Sequence, residues 1–218
     1  SGFLKNEIEK VEYKKPTWVN KTELNTNVVK WFESRGITQK TILKTRITDG
    51  LEWMPQTQKE ENTIQFNYFR NNELVNVKYR TGNKNFKLFK DAELIFYNLD
   101  GIKDSETCFI VEGEIDALSL IEAGIDNVVS VPNGANLKTN NLQYLDNCFD
   151  YFLNKKEIYL WLDNDVAGRK LKYDLAERLG FERCKFIEIE DCKDANEYLQ
   201  KYGLNAVITI ESKLQYFP

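Results

Sequence analysis

The sequence predicts an α/β fold, a mostly parallel sheet flanked by helices, preceded by a smaller α+β region. Three observations carry this. From Thr107 onward, short apolar runs alternate with helical stretches at the spacing of right-handed crossovers. Two of those runs, Phe109-Ile-Val111 and Ile158-Tyr-Leu-Trp-Leu162, stop abruptly at acidic residues and a glycine before a helix begins. Ahead of them, Thr63 to Tyr97 has the texture of paired strands and tight turns. We therefore divide the chain into a basic region over 1–100 and an α/β domain over 101–218.

In order, residues 1–20 are polar and predict an extended or weakly ordered lead-in. Thr22 or Asn25 caps a helix through about Arg35, with Val28, Val29 and Phe32 on its apolar side and Gly36 as its stop. A short helix follows over Gln39–Lys44. The runs Ile64–Phe69 and Leu74–Arg80 flank Asn71-Asn72, a hairpin signal. Another turn, Thr81-Gly82-Asn83, leads to Phe86–Phe89. Beyond Asp100-Gly101 the strands are Thr107–Val111, Asn127–Val131, Glu157–Leu162 and Arg183–Ile189. The helices are Ile115–Ala123, one within Thr139–Leu153, Val166–Leu179 and Asp194–Tyr202. Leu204–Phe217 is ambiguous, because Val207-Ile-Thr-Ile210 favours a strand and the setting permits a helix.

Composition narrows the chemistry. Of 218 residues, 42% are hydrophobic and 29% charged, an ordinary balance for a water-soluble globular protein with a real core. No run approaches a membrane span and no signal-peptide pattern opens the chain, so no membrane partner and a cytoplasmic setting are expected. The start at Ser1-Gly2 is what an excised or processed fragment would show. There is no histidine, which removes Ser-His and Cys-His catalysis. The four cysteines are scattered without Cys-x-x-Cys spacing, so no zinc is expected in this fragment. Net charge is −4, but residues 1–100 carry +4 and residues 101–218 carry −8. That asymmetry fits a polyanion-holding surface beside a metal-holding one.

The candidate site lies at the strand ends. In an open parallel sheet these share the edge where ligands bind. Glu112, Asp116, Asp163 and Asp165 can therefore meet there, as a hard-oxygen set suited to Mg2+ and the phosphates it carries. Asp163 and Asp165 are two apart and can point the same way, Gly168 lets the turn close, and the helix near Val166 offers free N–H groups. Asp-x-Asp alone more often marks solvated turn carboxylates; paired with Glu112-Gly113 after a second apolar strand, it is far more specific. Lys78, Arg80, Lys84, Lys87 and Lys90, interleaved with Tyr79, Phe86 and Phe89, read either as a solvated sheet face or as a surface for phosphates and single strands.

Val111-Glu112-Gly113-x-x-Asp116 followed by Asp163-x-Asp165-x-x-Gly168 resembles the Toprim domain of primases, topoisomerases and related nucleases, a Rossmann-like fold. The resemblance is closer to the primase half of T7-like phage primase-helicases and Twinkle-like proteins. It extends to Lys78-x-Arg80, Lys84-Asn85-Phe86-Lys87, Asp165-x-Ala167-Gly168-Arg169-Lys170 and Cys192-Lys193-Asp194-Ala195-Asn196-Glu197, in order from about residue 60 to 200. It implies a DNA primase catalytic core, a nucleotidyltransferase that makes short RNA primers from ribonucleoside triphosphates on a single-stranded DNA template. Glu112, Asp163, Asp165 and Asp194 would surround Mg2+, with Mn2+ able to substitute, and Asp116 and Asn196 would support them. Glu112, Asp163 and Asp165 would be catalytic. Lys78, Arg80, Lys84, Lys87, Asn133 and Arg169 would hold nucleotide or template. Such primases usually carry an upstream zinc module and a replicative helicase, in cis or in trans; this chain has neither zinc spacing nor a P-loop. Two other readings stand beside it: a non-catalytic DNA-binding scaffold of a replicative helicase, and a Toprim nuclease sharing the metal site.

Overall fold

The computed structural model describes residues 11–19, 21, 23–138 and 141–218. Thr22, Asn20 and all of the lead-in's first half thus lie outside the described residues, as do Thr139 and Asn140 at the start of an expected helix. From Val11 to Val19 the lead-in forms neither helix nor strand and is held by side-chain contacts to the first sheet and the turn at Asp91. Lys14 pairs with Asp91 at 2.8 Å, Lys15 with Glu73 at 3.0 Å, and Trp18 meets the Phe69 ring edge-on at 5.2 Å.

Helix α1 (Thr26–Glu33) starts where the Asn25 side chain accepts the Asn27 N–H, at 2.9 Å. Gly36, at φ +76°, turns the chain away, and α2 (Gln39–Lys44) follows. An antiparallel sheet then forms from β1 (Thr48–Met54), β2 (Lys59–Arg70), β3 (Glu73–Thr81) and β4 (Phe86–Leu88), adjacent in chain order. The β2–β3 turn has both asparagines at positive φ, 50° and 62°, as a two-residue hairpin requires. The Asp100 carboxylate fixes that turn by accepting the N–H groups of Asn71 and Asn72 at 2.7 and 2.9 Å.

The second sheet and its helices follow in order: β5 (Thr107–Val111), α3 (Glu114–Glu122), β6 (Val128–Ser130), α4 (Gln143–Cys148), β7 (Glu157–Trp161), α5 (Val166–Leu179), β8 (Cys184–Phe186), α6 (Ala195–Tyr202), α7 (Leu204–Ile208) and β9 (Gln215–Tyr216). The strand order is β6-β5-β7-β8-β9, parallel except for β9 against β8. The α/β expectation is met: a parallel-rich sheet flanked by helices. One buried core runs from Phe32 through Phe66 and Tyr68 to Phe109, Leu160 and Ile210, so both sheets share it. All four cysteines are buried free thiols. Among the described residues no helix is long and apolar enough to cross a membrane.

Three expectations change. The predicted strand Arg183–Ile189 narrows to β8, because Arg183 sits in a tight turn after Gly180 and donates to the Leu179 and Phe152 carbonyls. The helix within 139–153 shortens to α4 and a 3-10 turn over Phe149–Phe152. The ambiguous tail is helical first and extended only at β9; Val207 and Ile210, three apart, both face the core.

Candidate active site at the strand ends

β5 and β7 are paired in parallel register, Val111 opposite Trp161, so both strands run out at the same edge. Glu112 leaves β5 there and links two segments. Its Oε1 accepts the Ala135 N–H at 3.0 Å, and its Oε2 accepts the Asp163 N–H at 3.2 Å. Gly134, at φ +67°, bends the loop after β6 so that Ala135 can make this contact. Three helices begin at this edge. Asp165 caps α5 by accepting the Gly168 N–H at 2.9 Å, and Asp194 caps α6 by accepting the Glu197 N–H at 2.8 Å. Asp116, in the first turn of α3, accepts the N–H groups of Gly113 and Asn196 at 3.2 and 3.0 Å. Asn196 in turn donates to the Arg35 carbonyl and to Ser119 Oγ, both at 2.9 Å. Asp116 and Asn196 thus lock α3 to α6.

Gly168 lets α5 start so close to β7. A Cβ there would lie 2.0 Å from the Asp163 carbonyl oxygen, a backbone atom that cannot move aside.

The acids crowd one another. Burial, then the neighbouring Asp163 charge, pushes the Glu112 carboxyl up to about 7. Burial chiefly, then Asp194 and Asp163, holds Asp116 well above the usual carboxylate range. Asp163 is also raised by burial, although Lys193 Nζ pairs with it at 2.9 Å and stands 3.6 Å from Asp165. An edge where carboxylates gather with too little positive charge is suited to a cation.

Opposite the acids, β3 and β4 close a cleft of about 670 Å³, with Lys78, Phe86 and Lys87 facing Glu112, Asp163 and Asp194. Asn133 lines it from the loop after β6. The cations are not idle. Lys78 Nζ lies 2.9 Å from Glu114, whose carboxylate also accepts the hydroxyl of the fully buried Tyr68. Lys87 pairs with Glu52 at 2.6 Å. Asp165, Arg80, Lys84 and Arg169 do not line the cleft. Asp165 caps α5 beside it, and Lys84 is exposed on the turn between β3 and β4. Arg169 donates to Asn164 at 2.8 Å, and Arg80 is buried against Trp31.

Sequence reasoning left out Lys193, Glu114 and Tyr68. Lys193 directly precedes Asp194, and its charge beside an acid was the available signal. Nothing in the pattern marked Tyr68, whose hydroxyl partner lies forty-six positions away.

The donor set is oxygen only, and with no histidine in the chain it fits Mg2+ or Mn2+. Among the described residues no three acids converge as a ready-made metal site.

Residues 109–199 match the Toprim-like family model. The chain is 36% identical to a primase homolog protein of Arabidopsis thaliana, over 91% of this chain and 63% of that protein. It is also 36% identical to an Arabidopsis chloroplastic/mitochondrial Twinkle homolog protein, over 90% of this chain and 29% of that one. It therefore spans under two thirds of the length of either relative. The crystal structure of the primase fragment of the bacteriophage T7 primase-helicase protein superposes with a TM-score of 0.65 at 26% identity, covering 83% of this chain and 72% of that one. The strand-end domain is Toprim-like. The chain as a whole resembles the Toprim-domain primases, in particular the primase half of T7-like primase-helicases and Twinkle-like proteins.

Proposed function

We propose that this chain is the catalytic core of a DNA primase, joining ribonucleotides into short RNA primers on single-stranded DNA in the cytoplasm of a bacterium or phage-infected cell. The observation that carries this is the cleft itself, with Glu112, Asp163 and Asp194 on one wall and Lys78, Phe86 and Lys87 on the other. Glu112, Asp163, Asp165 and Asp194 would hold Mg2+ or Mn2+. That ion, when bound, neutralises phosphate charge and activates a primer hydroxyl for attack. The protein's own part is positioning. Glu112 is braced between the Ala135 and Asp163 N–H groups and is the acceptor assigned to the hydroxyl proton. Lys78 and Lys87 offer donors to the triphosphate or template, and Phe86, 42% exposed, offers a ring for a base to stack on. A replicative helicase and an upstream zinc module are the proposed partners.

The test is incubation with single-stranded DNA, labelled ribonucleotides and Mg2+ or Mn2+, with a linked zinc module supplied in a parallel reaction. Oligoribonucleotide product is expected, and Asp163→Asn with Asp165→Asn should abolish it while leaving the fold intact. No product in either reaction overturns catalysis.

One observation favours a second reading. Lys193 already pairs with Asp163 and stands near Asp165, as an internal cation would in a non-catalytic DNA-binding scaffold. DNA binding without synthesis under all these conditions would select it.

A further inference from the structure

The inner face of the first sheet carries a lysine among core residues. In the β2–β3 register Phe66 pairs with Lys78 and Tyr68 with Asn76, so these four side chains share one face. Phe66 and Tyr68 enter the common core on that face, while Lys78, its side chain 14% exposed, reaches the cleft. Glu114, the first residue of α3, meets it from the second sheet. Lys78 Nζ lies 2.9 Å from Glu114 Oε1 and donates to Oε2 at 3.2 Å, and among the described residues no other acceptor bonds it. The Tyr68 hydroxyl donates to the same carboxylate. Its fully buried ring is wedged edge-on against Tyr97 at 5.2 Å. The phenol thus fixes the carboxylate, and the carboxylate fixes the ammonium.

A buried ion pair adds little to a fold beyond what apolar residues of the same volume would give. A lysine at this place therefore points to a use for its charge. An ammonium has three N–H donors, so two bonds to Glu114 leave one for the cleft. Without that tether the long side chain would be drawn toward Glu112, Asp163 and Asp194, which line the same cleft, and would quench them. A clamped ammonium also loses less freedom when an anion arrives.

We infer that Tyr68 and Glu114 are positioning residues, which hold the Lys78 ammonium at a fixed point of the cleft, clear of the opposing acids, to receive a phosphate of the incoming ribonucleoside triphosphate. The inference rests on the primase reading and deepens it. Neither residue touches the nucleotide in this role; both act through Lys78.

The test uses the full chain with Mg2+, titrated calorimetrically with ATP and, separately, with dT12, and a primer-synthesis assay supplies KM and kcat. Tyr68→Phe removes one hydroxyl and keeps the ring. Glu114→Gln keeps the shape without the charge. Thermal melting checks that each folds, and either one alone suffices. We expect several-fold weaker ATP binding and a raised ribonucleotide KM in both, with kcat little changed and dT12 binding unchanged. Lys78→Met should bind ATP as weakly, and adding Tyr68→Phe to it should cost nothing more. Unchanged ATP binding and KM in the folded variants, beside a parent that makes primers, overturn the positioning role alone. A Tyr68→Phe loss of equal size in the Lys78→Met background overturns it too, because a purely structural tyrosine acts whether or not the lysine is there. Weakened dT12 with unchanged ATP moves Lys78 to the template and overturns the triphosphate assignment. A parent chain that neither binds ATP nor makes primers overturns both this inference and the primase reading.

Discussion

The two ends of β7 treat their acids in opposite ways. At its start, Glu157 accepts from Lys185 Nζ at 2.5 Å and from the Tyr159 hydroxyl at 2.6 Å, and these partners lower its pKa. Past its far end, Asp163 has Lys193 at 2.9 Å, yet burial keeps its pKa raised, and Glu112 beside it is raised to about 7. The contrast teaches where to look for function. A carboxylate that only stabilises the fold is given enough charge to stay ionised. At the strand ends the backbone supplies orientation while the compensating charge is left for something else to bring.

The largest expected effect breaks the functional end. Gly168→Ala should destabilise the fold by about 3 kcal/mol or more, the upper range for overpacking, because its Cβ meets the Asp163 backbone. Denaturant melts check this, and a loss below about 1 kcal/mol would mean that α5 can shift. Next is the bridge across the cleft. Glu114→Ala strips Lys78 and Tyr68 of their shared partner, at side-chain exposures of 14% for Lys78 and 6% for Glu114, and should cost about 3 kcal/mol. Replacing Lys78 by Met in the same chain should recover part of the loss; no recovery would mean that the lone lysine is not what destabilises it.

The structural end predicts a pH dependence. Lowering of the Glu157 pKa gives stability that is present above the ordinary glutamate range and lost as pH falls through the lowered value. Glu157→Gln should therefore lower the melting temperature at pH 7, with the gap to the parent closing as pH falls through that lowered value. Because the Glu157 side chain is 37% exposed, the effect at pH 7 should stay below about 1 kcal/mol. A gap that stays constant with pH would assign the effect to packing. Smallest is Lys87→Ala, which removes a pair with Glu52 at 24% and 29% exposure and should cost about 0.5 kcal/mol.

Much of this was legible before any coordinates. Apolar runs ending in Glu112 and Asp163 identified two parallel strands and their common edge, because strand ends in such sheets are chemically conspicuous. The positive-φ turn at Asn71-Asn72 was legible for the same local reason. β1 was not: Thr48-Asp-Gly-Leu-Glu-Trp-Met54 carries a glycine and two acids where a strand pattern expects apolar side chains. It pairs with β2 through its backbone, which leaves no mark in composition. The cationic segment was legible as charge but not as bookkeeping. That Glu52 and Glu114 neutralise Lys87 and Lys78 depends on partners 35 and 36 positions away.

The core that runs beneath both sheets has a mechanical meaning. Phe66 and Tyr68 of the first sheet stack edge-on against Tyr97, at 6.0 and 5.2 Å, and Tyr97 is bridged to Ser130, the last residue of β6. Prising the walls apart would tear these rings from one another and expose them to water. The cleft between them is thus walled by two sheets that share one core, not by two bodies joined through a bare linker.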